Sequence, residues 1–177
     1  VRTVVPPAAH PERSVRQSEA DARLRNKAEV RILPFMKSVY IETSIPSYLT
    51  GRLSGDVRTA AWQQITLQWW EQARHEFELF TSELVISEAS EGHPDAAERR
   101  LESLRGMTEL VVDPEMEALA NKLMAEGGFP VGAEVDALHV AIAAVQGIEL
   151  LLTWNCRHIN NAEKKPTIRA ICAMAGY

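Results

Sequence analysis

Glu42, Glu88, Asp136 and Asn155 carry the chemistry this chain has to offer. Each stands just past a short apolar run or at the start of the helical pattern that follows one, and three of the four are carboxylates. Three carboxylates brought to about 5 Å repel by roughly 3 kcal/mol per pair at an effective dielectric near 20. Such a group takes up protons or binds a cation. The donors are hard oxygens, including the amide oxygen of Asn155, and no Cys or His stands at zinc-ligand spacing. That selects Mg2+ or Mn2+. An ion of this kind needs only one or two protein carboxylates, keeps several waters and leaves room for a phosphate. It lowers the pKa of a bound water and offsets charge on the reacting group. The chemistry these residue types point to is metal-assisted hydrolysis of a phosphodiester.

The elements that must position them follow from apolar periodicity. Residues 38–41 (SVYI) form a strand that ends at Glu42-Thr43-Ser44, and Pro46 stops further pairing. A helical pattern over 56–74 places Trp62, Ile65, Trp69 and Ala73 on one stripe. A second strand, 78–81, leads to a helix over 83–91 that carries Glu88 and, three residues on, its rival Glu91. After a helix over 95–105 come a strand at 109–112 and a helix from Pro114 to about Glu126. The stretch 134–159 holds the remaining two site residues. Val135, Leu138, Ile142 and Val145 keep the helical period, Asp136 sits in the first turn where the helix dipole favours a negative charge, and Gly147 is the stop. Leu150, Leu151 and Leu152 read as a strand covered on both faces, which delivers Thr153 and Asn155 to the sheet's carboxyl edge. A short helix over 167–175 ends the chain.

Short strands alternating with helices predict an α/β fold: a three-layer α/β/α sandwich around a mostly parallel sheet of four or five strands. Residues 1–35, with seven basic against four acidic side chains, have little to bury and read as a poorly ordered extension; Met36-Lys37 directly before the first strand suggests that 1–35 lies upstream of a start. The domain is then 36–177, where twelve basic face twenty acidic residues, a balance that disfavours loose, sequence-blind nucleic-acid binding. No apolar run reaches the length of a membrane span, and two cysteines make neither a disulfide framework nor a zinc site, so a reducing cytoplasm is expected. No glycine-rich phosphate loop follows any strand, which counts against a nucleotide-cofactor enzyme.

Taken in order, VYIETS, TSELVISE, DALHVAIA and LLLTWNCRHI are similar to the motifs of the PIN-domain ribonucleases, in particular the VapC-type toxins of bacterial toxin–antitoxin pairs. The resemblance spans about 39–175. It implies a PIN-like fold, with Glu42, Glu88 and Asp136 as metal ligands and catalytic acids and Asn155 in the fourth-acid position. Thr43, Ser44 and Thr153 match hydroxyls that hold the acids. It further implies Mg2+ or Mn2+ as cofactor, an RNA substrate cut to 5′-phosphate and 3′-hydroxyl ends, a homodimer and a cognate antitoxin. Two positions depart from the family pattern. Glu42 replaces a shorter acid and is expected to carry its carboxylate outward by about a bond length, and Asn155 removes a charge and should weaken metal binding.

Other residues carry two readings each. His139, one turn after Asp136, either touches the same pocket or is a satisfied core histidine. His158 either contacts phosphate or caps the next helix. Arg157, Arg52 and Arg58 are candidates for an RNA rim, and Trp62, Trp69 and Trp70 for core or a dimer interface. Two rival functions remain at this point: a catalytically weakened binding module of the same fold, and a Rossmann-like interaction protein whose acids are surface charges.

Overall fold

The computed structural model describes residues 36–177. The expectations for 1–35 fall outside the described residues. Strand β1 (Lys37–Ile41) has three buried residues in succession, Val39, Tyr40 and Ile41. Consecutive strand residues point to opposite faces, so such a run needs packing on both. β1 accordingly lies inside the sheet, between β2 (Phe77–Ser82) and β4 (Leu150–Leu152), with β3 (Thr108–Leu110) beyond β2. The order is β3-β2-β1-β4 and every pairing is parallel, with Tyr40 opposite Phe80 and Ile41 opposite Leu152.

Right-handed crossovers place connections that step in one direction on one face and the returning connection on the other. On the first side α1 (Ser44–Thr50) packs against α2 (Val57–Gln72) and α4 (Pro94–Leu104), and α3 (Glu83–Ala89) against α4. On the second, α5 (Pro114–Ala125) packs against α6 (Glu134–Val145) and α7 (Lys165–Ala175). The result is a three-layer α/β/α sandwich. The chain runs outward from β1 to β2 and β3, then returns to the far side of β1, so the strand order reverses between β1 and β4. In open parallel sheets the crevice beyond such a reversal is where ligands bind.

Four local outcomes differ from the sequence reading. Pro46, expected only to stop a strand, is the third residue of α1. It lies in the first turn, where a missing N–H costs nothing because that N–H has no intrahelical partner. β4 is packed on both faces, Leu151 against the α5–α6–α7 side and Leu152 beside Ile45 and Trp69, but as an edge strand it leaves all three leucines half-buried rather than buried. On α2 the buried residue is Thr66, while Ile65 is 52% exposed. Thr66 donates its hydroxyl to the Trp62 carbonyl at 2.7 Å and accepts the Trp154 indole N–H at 2.7 Å, which turns this side of the helix inward. Glu91 lies beyond the end of α3, exposed, and not on a shared helical face with Glu88. The Gly147 stop is present as a left-handed residue, φ 64°, with Gly147 N–H bonded to Ala144 and Ile148 N–H to Ala143, the pairing that closes a helix end. Among the described residues no helix is long and apolar enough to cross a membrane.

Candidate active site

Glu42, the first residue beyond β1, is 6% exposed. Its carboxylate folds back over the start of α1 instead of reaching outward. Oε1 accepts the Ser44 backbone N–H at 3.1 Å; Oε2 accepts the Ser44 hydroxyl at 2.5 Å and the Thr153 hydroxyl at 2.6 Å. The extra methylene, expected to push the group out, gives it the length to curl onto its own helix terminus. Both hydroxyls are set by the backbone leaving β4, since Trp154 N–H donates to Ser44 Oγ and Asn155 N–H to Thr153 Oγ1, each at 2.8 Å. Trp154, between them, is pinned on the opposite side. Its ring stacks on Trp62 at 5.5 Å and 19°, and Tyr48 stands edge-on to Trp62.

Glu88 reaches the same edge from the last turn of α3. One oxygen, Oε2, accepts the Thr43 hydroxyl and lies 2.9 Å from His139 Nε2. Burial pushes the Glu88 carboxyl up, but the hydrogen bonds from His139 and Thr43 outweigh it and hold the group below the usual range. Behind His139, at 2.9 Å from Nδ1, is the Tyr40 hydroxyl, itself 2.7 Å from Ser82 Oγ. Burial raises the Tyr40 phenol well above its ordinary value; the Ser82 bond opposes this and the charges of Glu42 and Glu88 add to it.

Asp136, in the first turn of α6, is the third acid. Asn155 Nδ2 donates to its Oδ1 at 2.8 Å, and His158 Nδ1 lies 2.6 Å from Oδ2. The Asn155 side-chain oxygen accepts the His158 backbone N–H at 3.0 Å, so the turn that follows β4 is closed by the residue that holds Asp136. Arg157 is exposed in this turn.

The three acids thus belong to one edge and to linked hydrogen-bond networks: Thr153 joins Glu42 to the Asn155 backbone, and Thr43, adjacent to Glu42, bonds Glu88. They do not form a single trio. Among the described residues no group of three or more Asp, Glu, His and Cys side chains is gathered closely enough to hold one ion. The physical reason is that each carboxylate already has its own donors: hydroxyls for Glu42, an imidazole and a hydroxyl for Glu88, an amide and an imidazole for Asp136. A divalent cation still fits part of this set. The donors are hard oxygens, Glu88 Oε1 accepts no hydrogen bond among the described residues, and the Glu88 and Asp136 side chains are 32% and 20% exposed. Two carboxylates suffice for a cation that keeps its waters. Glu42 is more buried than either, at 6% exposure, with three hydrogen bonds on its two oxygens.

Three contributors escaped the sequence reading: Tyr40, Ser82 and Trp154. Tyr40 lies two residues before Glu42, and alternation along a strand would have placed it on the same side. Ser82 carries an N-cap signature, accepting from Val85 N–H at 3.3 Å. Nothing in the sequence marks the indole of Trp154 as bonded to Thr66.

The PIN domain family matches residues 39–164. The chain belongs to that family, the nuclease family its motifs resemble. Among solved structures it is similar to VapC20 of Mycobacterium tuberculosis, a toxin that cleaves the sarcin–ricin loop, with a TM-score of 0.53 and 18% identity over 73% of this chain and 95% of that one. At that identity the likeness concerns the fold. No curated protein matches the chain significantly.

Proposed function

We propose that the protein is a metal-dependent ribonuclease and the toxin of a toxin–antitoxin pair. The observation that carries this reading is that Glu88 and Asp136 are each held by dedicated donors, and that His139, which bonds Glu88, lies one turn from Asp136 on α6. Asp136 and Glu88 would hold one Mg2+ or Mn2+, with Glu42 and Asn155 supporting the site from beneath. Bound there, the cation supplies a deprotonated water and neutralises charge on the phosphodiester. The chain's own residues do the rest. Asn155 and His158 fix both oxygens of Asp136; Thr43 and His139 fix one oxygen of Glu88 and leave the other for the ion. His158 Nε2 has no partner among the described residues and, with the exposed Arg157, is available to a phosphate. The family resemblance implies RNA as substrate, an antitoxin as partner and a homodimer as the working form; the similarity to VapC20, a toxin that cleaves the sarcin–ricin loop, supports the first of these.

The test is cleavage of RNA by the purified protein with Mn2+, set against Asp136→Asn. Loss of cleavage in the variant, with 5′-phosphate ends from the parent, is expected; equal activity overturns the assignment. One observation favours a second reading. The direct Asn155–Asp136 bond does with an amide what a cation does between two carboxylates, which suits a weakened, RNA-binding form of the fold. Titration calorimetry separates the two: RNA binding with no uptake of Mn2+ at millimolar concentration supports the second reading.

A further inference from the structure

The buried interior holds a line of polar groups that ends on Glu88. It runs Ser82, Tyr40, His139, Glu88, with contacts of 2.7, 2.9 and 2.9 Å. Ser82 and Tyr40 are fully buried and His139 is 1% exposed, so none of the three touches RNA or bulk water. Their hydrogens can be placed consistently. Ser82 Oγ accepts Val85 N–H, and its own proton is free to go to Tyr40, whose single proton is needed for His139. Tyr40, kept protonated by burial, donates to His139 Nδ1. His139 then carries its proton on Nε2 and donates it to Glu88. In a neutral imidazole one nitrogen donates and the other accepts, and the partner of one fixes the role of the other.

We propose that His139 is a positioning residue for Glu88, and that Tyr40 and Ser82 fix the tautomer with which it does so. This deepens the nuclease reading and rests on it only for the catalytic consequence. The two donors converge on Glu88 Oε2, from Thr43 and His139, and leave Oε1 without a hydrogen bond among the described residues. Without His139 one hydroxyl would remain, and a Glu side chain held by one hydrogen bond has several rotamers open to it. The relay explains why a histidine lies wholly inside the core on α6, one turn from Asp136: it ties α6 to β1 and α3.

The relay is read first without activity. In protein labelled with 15N at histidine, His139 should show an acceptor-type Nδ1 and a proton-bearing Nε2 whose signal moves in Glu88→Gln. Tyr40→Phe, which keeps the ring, should mix the two tautomers. A proton on Nδ1, or an Nε2 signal that ignores Glu88→Gln, overturns the proposal whatever the enzyme does. The consequence for the site is then read by Mn2+ calorimetry and steady-state cleavage. His139→Leu should lose about tenfold to a hundredfold in Mn2+ affinity and kcat, the usual cost of removing a partner of a metal ligand, with KM for RNA unchanged. His139→Gln, whose amide N–H can replace the Nε2 donor, should recover most of that loss. Urea unfolding of each variant identifies any that fails to fold, and Tyr40→Phe, the mildest change, should show the same kcat-only loss in smaller degree. If Gln and Leu fall equally in folded protein, or if neither changes Mn2+ affinity and kcat, His139 is core packing and the proposal is wrong. If the parent neither cleaves RNA nor binds Mn2+ while the 15N result stands, the nuclease reading fails and the relay survives it.

Discussion

Glu88 and Asp136, the two partly exposed acids, are supported in opposite ways. Glu88 is tied to the centre of the sheet through His139, Tyr40 and Ser82, residues at or near zero exposure. Asp136 is tied to the turn after edge strand β4 through Asn155 and His158, and the Asp136 and His158 side chains are 20% and 21% exposed. A buried polar group that loses its partner bears the full cost of desolvation, about 1–3 kcal/mol, whereas one that water can reach recovers most of the bond. One arm of the site is therefore coupled to folding and the other is largely independent of it. Damage to the first shows in stability as well as in chemistry, and damage to the second mainly in chemistry.

The largest expected contrast comes from Tyr40→Ala, which removes a buried ring and the hydroxyl between Ser82 and His139. It should cost about 3–5 kcal/mol, read as a lower urea midpoint, while Asp136→Ala, whose partners are partly exposed, costs about 1–2 kcal/mol and abolishes cleavage. Comparable midpoints for the two variants would show that the arms are not separate. Ser82→Ala removes both the α3 cap and a buried partner of Tyr40 and should cost about 1–2 kcal/mol. Asn155→Asp tests the exposed arm from the other direction. It replaces the amide donor on Asp136 with a second carboxylate, so the metal-free protein should lose a little stability and gain on the order of tenfold in Mn2+ affinity. Unchanged Mn2+ affinity would mean that no ion is shared between positions 136 and 155.

How much of this the sequence disclosed follows the same division. Apart from α1, which the sequence reading did not expect, the order of strands and helices, the Gly147 stop and the placing of Glu42, Glu88, Asp136 and Asn155 just past strand ends or at a helix start were legible, because each rests on local periodicity or on position relative to a strand end. The hydroxyls Thr43, Ser44 and Thr153 were expected from the family resemblance to hold acids, and each donates to one. What local pattern could not supply was partner choice. The direction of the Glu42 carboxylate depends on Thr153, more than a hundred residues away, and the relay joins β1, β2, α3 and α6 through single hydrogen bonds. The half-buried state of β4 was misread for a related reason: a run of three leucines looks alike in a central and an edge strand, and only the sheet order tells them apart. The inward turn of Thr66 was illegible because it answers the indole of a tryptophan that belongs to another layer.

The smallest expected effect is also the most direct probe of the buried arm. The folded-state pKa of Glu88 lies below its ordinary value of 4.5, because the His139 and Thr43 hydrogen bonds favour the charged form by more than burial opposes it. A carboxyl group with a depressed folded pKa contributes stability that is fully present above the unfolded pKa and is lost as pH falls through the folded one. The urea midpoint should therefore hold its Glu88 share down to about pH 4.5 and give it up below that, as protonation removes the acceptor from His139 and Thr43. Glu88→Gln carries no titrating group at this position, so its midpoint should fall less steeply over the same acid range while starting lower at pH 7. Parallel curves for parent and variant would mean that Glu88 binds its proton equally well folded and unfolded, and the hydrogen bonds that define the buried arm would then favour neither protonation state.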